Sequence, residues 1–268
     1  MGIQTLYTAA TGMTALETKL NVIADNLANV NTTGFKRARC DFEDLWYRNV
    51  KLPGSVDAQQ NYTPTGIAVG LGSRVQSTQT DFTQGAFQTT NNQLDLAING
   101  PGFFVVIDPT TGQNMYTRAG NFSINANGQL VVGSANVGRV VSPNIQFQQD
   151  TINITVSEDG IVSAQQSGST QFAQVGQLQL AKFINPEGLL KMGENLYSDT
   201  LASGPPNLAT AGTTGLGSIQ QNMLEQSNVE PVNELVDLIT TQRSFEMNSQ
   251  AVQAADQILQ LIANLRRF

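Results

Sequence analysis

Acidic side chains are the residues of this chain whose types and spacing come nearest to catalytic chemistry. Glycosidases need two carboxylates that face one another, and Glu158-Asp159 or the group Asp41, Glu43 and Asp44 would supply such acids. The first pair, however, precedes a glycine in a predicted turn, where Asp serves backbone geometry, and the second group is typical of a solvated face. The residues therefore favour a protein that is not an enzyme.

Composition excludes most other catalytic and ligand-binding chemistry. The chain has 268 residues, no histidine and one cysteine, Cys40, which argues against His-based triads, most catalytic zinc sites and an internal disulfide. We therefore expect no metal. We also expect no cofactor, because Gly100-x-Gly102 lies in no βαβ pattern of the kind that binds a dinucleotide. A net charge of −7 argues against nucleic-acid binding. No apolar run of membrane-spanning length is visible, so we expect no direct membrane insertion.

Two amphipathic helices, one near each end, are the elements that must position any functional residues. The apolar residues of the first helix recur at intervals of three and four, and those of the second follow a similar heptad frame. Such spacing places apolar side chains on one stripe that has to be buried against another helix. The first helix is predicted over 4–30, with Gly34 beyond its end in a left-handed conformation. The second is predicted to follow a capping box at 227–230 and to continue to 265. The stripe residues are Met13, Leu16, Leu20, Ile23, Leu27 and Val30, and then Val232, Leu235, Ile239, Phe245, Val252, Leu259, Ile262 and Leu265.

The sequence between the helices is strand-like. Asn127-Gly128 and Asp159-Gly160 favour tight hairpins, and the apolar run 103–107 has the length of a buried strand. We predict an α+β fold: N- and C-terminal α-helices forming a coiled-coil-like domain, an extended β-hairpin arm, and a central antiparallel β barrel or sandwich. The predicted domains are 1–34 with 225–268, an arm and connector at 35–94 with 195–224, and a β domain at 95–194. The arm is marked by Leu45, Trp46, Tyr47, Pro53, Pro64 and Gly66.

Four motifs, in order along the chain, resemble those of the flagellar rod, hook and hook-associated proteins. They are residues 28–36 (ANVNTTGFK), 94–104 (LDLAINGPGFF), 116–122 (YTRAGNF), and 227–230 (SNVE) with 242–249 (QRSFEMNS). The last departs from the family pattern Gln-Arg-Ala-Tyr-Glu-x-Asn at Ser244 and Phe245. Residues 42–47 (FEDLWY) and 193–197 (GENLY) are similar to those of the distal part of the rod. A proximal rod protein or a short hook protein is the near alternative, and an exported glycan-binding or glycan-cleaving β domain is the remote one.

The resemblance implies a structural subunit, exported without a cleaved signal peptide, that polymerises into a rigid hollow shaft across the periplasm. Such a shaft transmits motor torque to the hook and encloses the export channel. The implied partners are further copies of the chain, proximal rod proteins, the hook protein, the bushing rings of the periplasm and outer membrane, and a rod cap during assembly.

The resemblance also assigns roles to residues. The stripe residues, with the motif residues Gly34, Phe35 and Arg243, are implied to pack the wall of an inner tube. Polar residues in helical seams set register, and we expect Asn26, Asn29, Gln242 and Asn248 to do so here. We also expect the arm, at 45–72, to stiffen the shaft through contacts between subunits.

Overall fold

The structure, a computed structural model, describes residues 2–54, 62, 64–133, 138–168, 171–213 and 215–265. The chain divides into two compact units. The helical unit comprises Met1–Ala28, Ala38–Thr80 and Glu230–Phe268, and the sheet unit comprises Asn29–Arg37 and Asp81–Val229. The segment 195–224, predicted as part of a connector, lies within the sheet unit. The three-part division made from the sequence stays a prediction.

The helical unit contains both long helices and four strands. They are α1 (Gly2–Ala28), β1 (Ala38–Asp44), β2 (Tyr47–Lys51), β3 (Ile67–Gly70), β4 (Ser73–Thr80) and α2 (Pro231–Leu265). No helix in the described ranges is long and apolar enough to cross a membrane. The two predicted helices are present, and each boundary lies within about two residues of the expected one.

The two helices pack antiparallel in a heptad register. Asn26 Nδ2 lies 3.3 Å from Glu234 Oε2, and a Cβ at Gly12 would lie 3.4 Å from Asn248 Nδ2. The contacts are two heptads apart on both helices, which is the spacing of a coiled-coil seam. Their order is reversed between the helices, so the pairing is antiparallel.

The N-terminus of α2 differs from the predicted one. The first bond within the helix runs from the Glu234 N–H to the Glu230 carbonyl, at 3.1 Å, so Glu230 occupies the N-cap position. Ser227 Oγ accepts a bond from the Val229 N–H at 3.3 Å, in a turn that precedes the helix. The predicted capping box at 227–230 therefore does not form, although Pro231 takes the first helical position as expected.

The four strands of the helical unit form two antiparallel ribbons. β1 pairs with β4, and β2 pairs with β3. The chain enters β4 close against α1, because a Cβ at Gly72 would lie 2.1 Å from Thr11 Oγ1. We keep the name arm for the described part of 45–72, whose outer ribbon is β2–β3. Most of the tip predicted between 52 and 66 falls outside the described residues.

The sheet unit holds the remaining strands. They are β5 (Phe87–Thr89), β6 (Leu96–Asn99), β7 (Phe103–Ile107), β8 (Asn114–Thr117), β9 (Phe122–Ile124), β10 (Leu130–Val132), β11 (Arg139–Val141), β12 (Thr151–Val156), β13 (Ile161–Gln166), β14 (Phe172–Gln177), β15 (Gln179–Lys182), β16 (Leu190–Gly193), β17 (Leu196–Ser198), β18 (Asn207–Thr210), β19 (Ser218–Gln221) and β20 (Met223–Glu225), with a 3₁₀ turn at Pro186–Gly188. Both predicted hairpins form, with Gly128 and Gly160 at φ 77° and 80°.

Strand β7 lies at the centre of a nine-stranded antiparallel sheet and is covered on both faces. Its alternate residues Phe104 and Val106 belong to one apolar cluster, whereas Phe103 and Val105 belong to another. Successive side chains of a strand point to opposite faces. A continuous apolar run is therefore what a strand with two buried faces requires, as the sequence predicted.

The described strands do not close into a barrel. In the nine-stranded sheet the order runs β16-β17-β8-β7-β11-β10-β9, and β15 and β18 branch from β7. The three strands β12, β13 and β14 form a separate sheet, and β5–β20 and β6–β19 form two ribbons. The α+β class is confirmed, whereas the barrel or sandwich predicted for the middle is not.

Candidate interaction site

The segment after α1 meets the segment before α2 in the sheet unit. The Gly34 N–H donates to the Glu225 carbonyl at 2.8 Å, and the Arg37 N–H donates to Asn228 Oδ1 at 2.7 Å. Asn228 Nδ2 then donates to the Asp81 carbonyl at 2.9 Å. Backbone and amide hydrogen bonds therefore join residues 34–37, at the end of the N-terminal motif, to residues 225–228, at the start of the SNVE motif.

A third motif packs against the same place. Gly34 has φ 70°, and a Cβ there would lie 2.7 Å from Ala119 N and from the carbonyl carbon of Arg118. These two residues belong to the YTRAGNF motif. Only glycine fits such an approach at positive φ. Asn195, from the GENLY segment, donates through Nδ2 to the Thr33 carbonyl at 3.1 Å.

A buried ionic cluster holds the centre of the site. Lys36 Nζ lies 2.5 Å from Glu225 Oε1, and Arg118 Nη1 lies 3.4 Å from Glu225 Oε2. The Lys36 and Glu225 side chains are 0% exposed and that of Arg118 is 4% exposed. Neutral groups complete the shell: Lys36 Nζ donates to the Thr83 carbonyl at 2.7 Å, and the Gly85 N–H donates to Glu225 Oε1 at 3.1 Å.

Two cations share one carboxylate in this cluster. Burial lowers the pKa of Lys36, and the attraction of Glu225 opposes that shift. Burial likewise lowers the pKa of Arg118, again opposed by Glu225. Arg118 is further held by Nη2 bonding to the Gly100 carbonyl at 2.8 Å and by its position 5.5 Å from the ring centre of Phe103. Buried charges persist only where partners compensate them, so this cluster fixes one arrangement of three motifs.

The helical unit has its own buried polar contact at the end of α1. Asn26 Oδ1 accepts from the Ala38 N–H at 2.9 Å, and Asn26 Nδ2 donates to the Ala38 carbonyl at 2.8 Å. The same amide contacts Glu234, and both side chains are 1% exposed. Asn26 therefore contacts α2 and β1 together.

The predicted stripe residues are placed unevenly. On α1, Ile23 is buried, and Met13, Leu16, Leu20 and Leu27 are half-buried. On α2, the buried positions are Glu234, Thr241 and Ala255. Val252 and Leu259 are half-buried, as is the register residue Asn248. The exposed members of the predicted set are Val232, Leu235, Ile239, Gln242, Arg243, Phe245 and Ile262.

The remaining motif residues lie in the sheet unit. Phe35 is buried, with Lys191 Nζ at 5.5 Å from its ring centre. Val30 is half-buried, and Asn29 Oδ1 accepts a bond from Thr32 Oγ1 at 3.2 Å. Asn29 thus caps the turn after α1.

The arm residues are mostly exposed. Leu45 is half-buried, and its N–H donates to the Gly72 carbonyl at 2.8 Å. Trp46 is 85% exposed, and Tyr47 is exposed as well. Pro53, Pro64 and Gly66 are also exposed. A Cβ at Gly66 would lie 2.6 Å from the Lys51 carbonyl oxygen, so the base of the tip requires glycine.

Two of the acidic side chains first considered for catalysis lie beside surface arginines. Glu43 pairs with Arg74 on the surface, and Asp41 lies 3.7 Å from Arg39 Nε. Burial raises the pKa of the Cys40 thiol, which disfavours the reactive thiolate. The described residues contain no group of acidic or cysteine side chains able to hold a metal ion.

Sequence reasoning missed the importance of Lys36, Arg118, Glu225 and Glu234. The first two lie within the quoted motifs, but neither was assigned a role. Charged residues make up only 13% of the chain, so a charged residue inside a motif was itself a signal. Such residues are seldom buried unless they are paired. The partner of each could not be read from the sequence.

Comparisons with known proteins agree with the motifs. Residues 6–36 match the family described as "Flagella basal body rod protein", residues 97–164 match "Flagellar hook protein FlgE/F/G D1 domain", and residues 220–265 match "Flagellar basal body rod FlgEFG protein C-terminal". The flagellar basal-body rod protein FlgG of Buchnera aphidicola subsp. Baizongia pistaciae is 45% identical over 98% of this chain and 100% of its own length. That of Caulobacter vibrioides is 43% identical over the same shares. That of Borreliella burgdorferi is 42% identical over 99% of each chain. The chain therefore belongs to the flagellar basal-body rod protein family and is a structural protein, not an enzyme.

Proposed function

We propose that the chain is a subunit of the distal part of the rod, where it polymerises into a rigid hollow shaft. That shaft transmits torque to the hook and encloses the export channel. Its partners are further copies of the chain, proximal rod proteins, the hook protein, the two bushing rings and, during assembly, the rod cap. The full-length relationship to basal-body rod proteins is the observation that carries this proposal.

The exposed face of α2 supports packing between subunits. Val232, Leu235 and Ile239 share one face of α2 and are between 46% and 72% exposed in the single chain. An apolar helix face gains stability only when it is covered. Copies of the same helix would cover it in a polymer, forming the wall of the tube.

A substitution on this face separates assembly from folding. Ile239 is 50% exposed, so Ile239→Asp is expected to change the Tm of the soluble chain little and to prevent polymerisation. Thr240→Asp, at an exposed position about 100° around the helix from Ile239, is the matched control and is expected to assemble. Polymers of normal yield from Ile239→Asp, seen by sedimentation and electron microscopy, would contradict the role of this face.

The exposure of the arm supports its proposed role in stiffening the shaft. Its outer ribbon, β2–β3, consists of two strands whose side chains are nearly all exposed. An isolated two-stranded ribbon is marginally stable in water, and further contacts from neighbouring subunits would hold it. We expect deletion of 50–66 to leave export intact and to give a flexible or curved polymer.

The control for this deletion replaces the tip, 53–66, with a Gly/Ser segment of equal length, which separates the loss of contacts from the loss of length. Electron microscopy measures the curvature of each polymer. Straight, stiff rods from the deletion variant would overturn the role of the arm without affecting the proposal that the chain polymerises.

A further inference from the structure

Two neighbouring loops of the sheet unit present apolar side chains almost entirely to solvent. We call the segments 184–189 and 199–204 the double loop. Ile184 is 92% exposed and Leu201 is 106% exposed relative to a free residue. Single exposed apolar residues are common on protein surfaces. Here two of them lie on one hydrogen-bonded pair of loops, and a partner that covers both removes their apolar surface from water.

The double loop is held rigidly by its own hydrogen bonds. Thr200 Oγ1 donates to the Gly188 carbonyl at 2.6 Å, and Asn185 Nδ2 donates to the Ala202 carbonyl at 3.2 Å. Ser203 is buried, and its Oγ accepts from the Thr200 N–H at 3.0 Å. The loops also touch directly, since a Cβ at Gly188 would lie 2.8 Å from Ser203 N. A surface ordered in this way loses little conformational entropy when a partner binds.

The charged residues within the double loop have one sign. Glu187 and Asp199 are both exposed, and neither segment of the double loop contains Lys or Arg. A partner that covers Ile184 and Leu201 therefore brings the two carboxylates close to its own surface. Complementary recognition requires apolar side chains flanked by positive charge.

The arm has that chemistry. Trp46, Val50 and Leu52 are exposed apolar residues, and Arg48 and Lys51 are exposed basic residues between them. Neither the segment 46–52 nor the strand β3 contains Asp or Glu. Residues 46–52 and β3 thus present apolar and basic side chains, with Asp44 hydrogen-bonded to Tyr47 at their base, and the double loop presents apolar and acidic ones.

We propose that the arm of one copy of the chain packs on the double loop of a second copy. The two surfaces differ, so the contact is heterologous. A heterologous contact repeats from copy to copy and produces an open polymer unless the rotation closes a ring. The inference rests on the proposed function and adds to it the surface on which the arm acts.

Cross-linking between two single-cysteine chains tests the contact. In a Cys40→Ala background, chains with Val50→Cys are mixed with chains carrying Leu201→Cys, assembled, and oxidised. Any disulfide between positions 50 and 201 then joins different copies. We expect covalent dimers from this mixture at a yield at least about tenfold above the control. The control replaces the second variant with Ile152→Cys, which is 62% exposed and lies outside the double loop.

Charge reversal tests the same contact without cysteine. Glu187→Lys with Asp199→Lys is expected to raise the concentration of chain left unpolymerised about tenfold, because the contact then joins like charges. Adding Arg48→Glu and Lys51→Glu to the same chain is expected to restore assembly. The matched control, Glu158→Lys with Asp150→Lys, changes the net charge equally at exposed sites elsewhere in the sheet unit.

The results of these experiments distinguish failure of the arm contact from failure of the proposed function. Normal polymers with no excess of 50–201 dimers and no charge rescue would overturn the arm contact and leave the polymer proposal standing. Cross-linking of Leu201→Cys to a different rod or ring protein would also overturn it. A wild-type chain that does not polymerise under any assembly condition would refute the proposed function, and this contact with it.

Discussion

Glu225 is the residue whose loss tests the buried cluster most directly. Its carboxylate lies 2.5 Å from Lys36 Nζ and 3.4 Å from Arg118 Nη1, and the three side chains are at most 4% exposed. Glu225→Gln keeps the shape of the side chain and an oxygen for the Gly85 N–H, but it leaves two buried cations without a counter-ion. Removing one partner of a buried ion pair costs about 3–5 kcal/mol. We expect the free energy of unfolding to fall by that amount at pH 7.

Thermal and chemical unfolding measure this loss. For a domain of the sheet unit's size, each kcal/mol lowers Tm by about 2–4 °C, so the expected decrease is about 6–20 °C by calorimetry. Urea unfolding followed by circular dichroism gives the free energy itself. Glu158→Gln removes an exposed carboxylate from the same unit and is expected to change the free energy by less than about 0.5 kcal/mol.

The pH dependence distinguishes lost charge compensation from lost packing. Burial already holds the pKa of Lys36 below 10.5, and Glu225 opposes that shift, so the substitution lowers the pKa further. Between the folded pKa and 10.5 the unfolded chain binds more protons, and stability rises with pH. The deficit of Glu225→Gln should therefore shrink as the pH approaches 10. A loss below about 1 kcal/mol at pH 7, or a deficit that is constant with pH, would refute the reasoning.

Three further perturbations test single contacts. Gly34→Ala is expected to lower the free energy of unfolding in urea by about 2–4 kcal/mol, because φ is +70° and a Cβ would lie 2.7 Å from backbone atoms. Gly168→Ala, at φ +87° in open space, should lower it by only about 1 kcal/mol, and equal losses would contradict the close approach at Gly34. Asn26→Leu removes the partner of both backbone groups of Ala38 and should cost about 2–4 kcal/mol, with faster hydrogen exchange of the Ala38 amide; unchanged exchange would argue against this contact. Burial raises the pKa of Tyr116 from 10.0 to about 12, so its stabilising contribution is complete below pH 10 and is lost as the pH rises to about 12; a difference absorbance titration against Tyr116→Phe that shows Tyr116 ionising near pH 10 in the folded chain would contradict this.

Local patterns in the sequence predicted the elements well. The two helices have nearly the predicted bounds, because their periodicity and the turn-forming residues beyond them act over a few residues. The hairpins at Gly128 and Gly160 were predictable for the same reason, since a tight turn demands positive φ at a known position. The family motifs were also visible in the sequence, since each is contiguous.

The helical seam was only partly predictable. The apolar pattern of α2 assigned Leu235 and Ile239 to packing between subunits, which stays a prediction, and within the single chain the helix buries Glu234 and Thr241, one heptad apart. Periodicity assumes that the partner surface is apolar. At Glu234 the partner is the Asn26 amide, so a polar side chain occupies the seam at that position.

The sequence alone thus determined the two helices, several of the strands and the family to which the chain belongs, because those properties depend on neighbouring residues and contiguous motifs. The tertiary structure decided which distant residues meet. Lys36 and Glu225 stand 189 positions apart, and nothing in the pattern around either one names the other. Their pairing follows from the sheet unit, which removes both side chains from water and brings Arg118 to the same carboxylate.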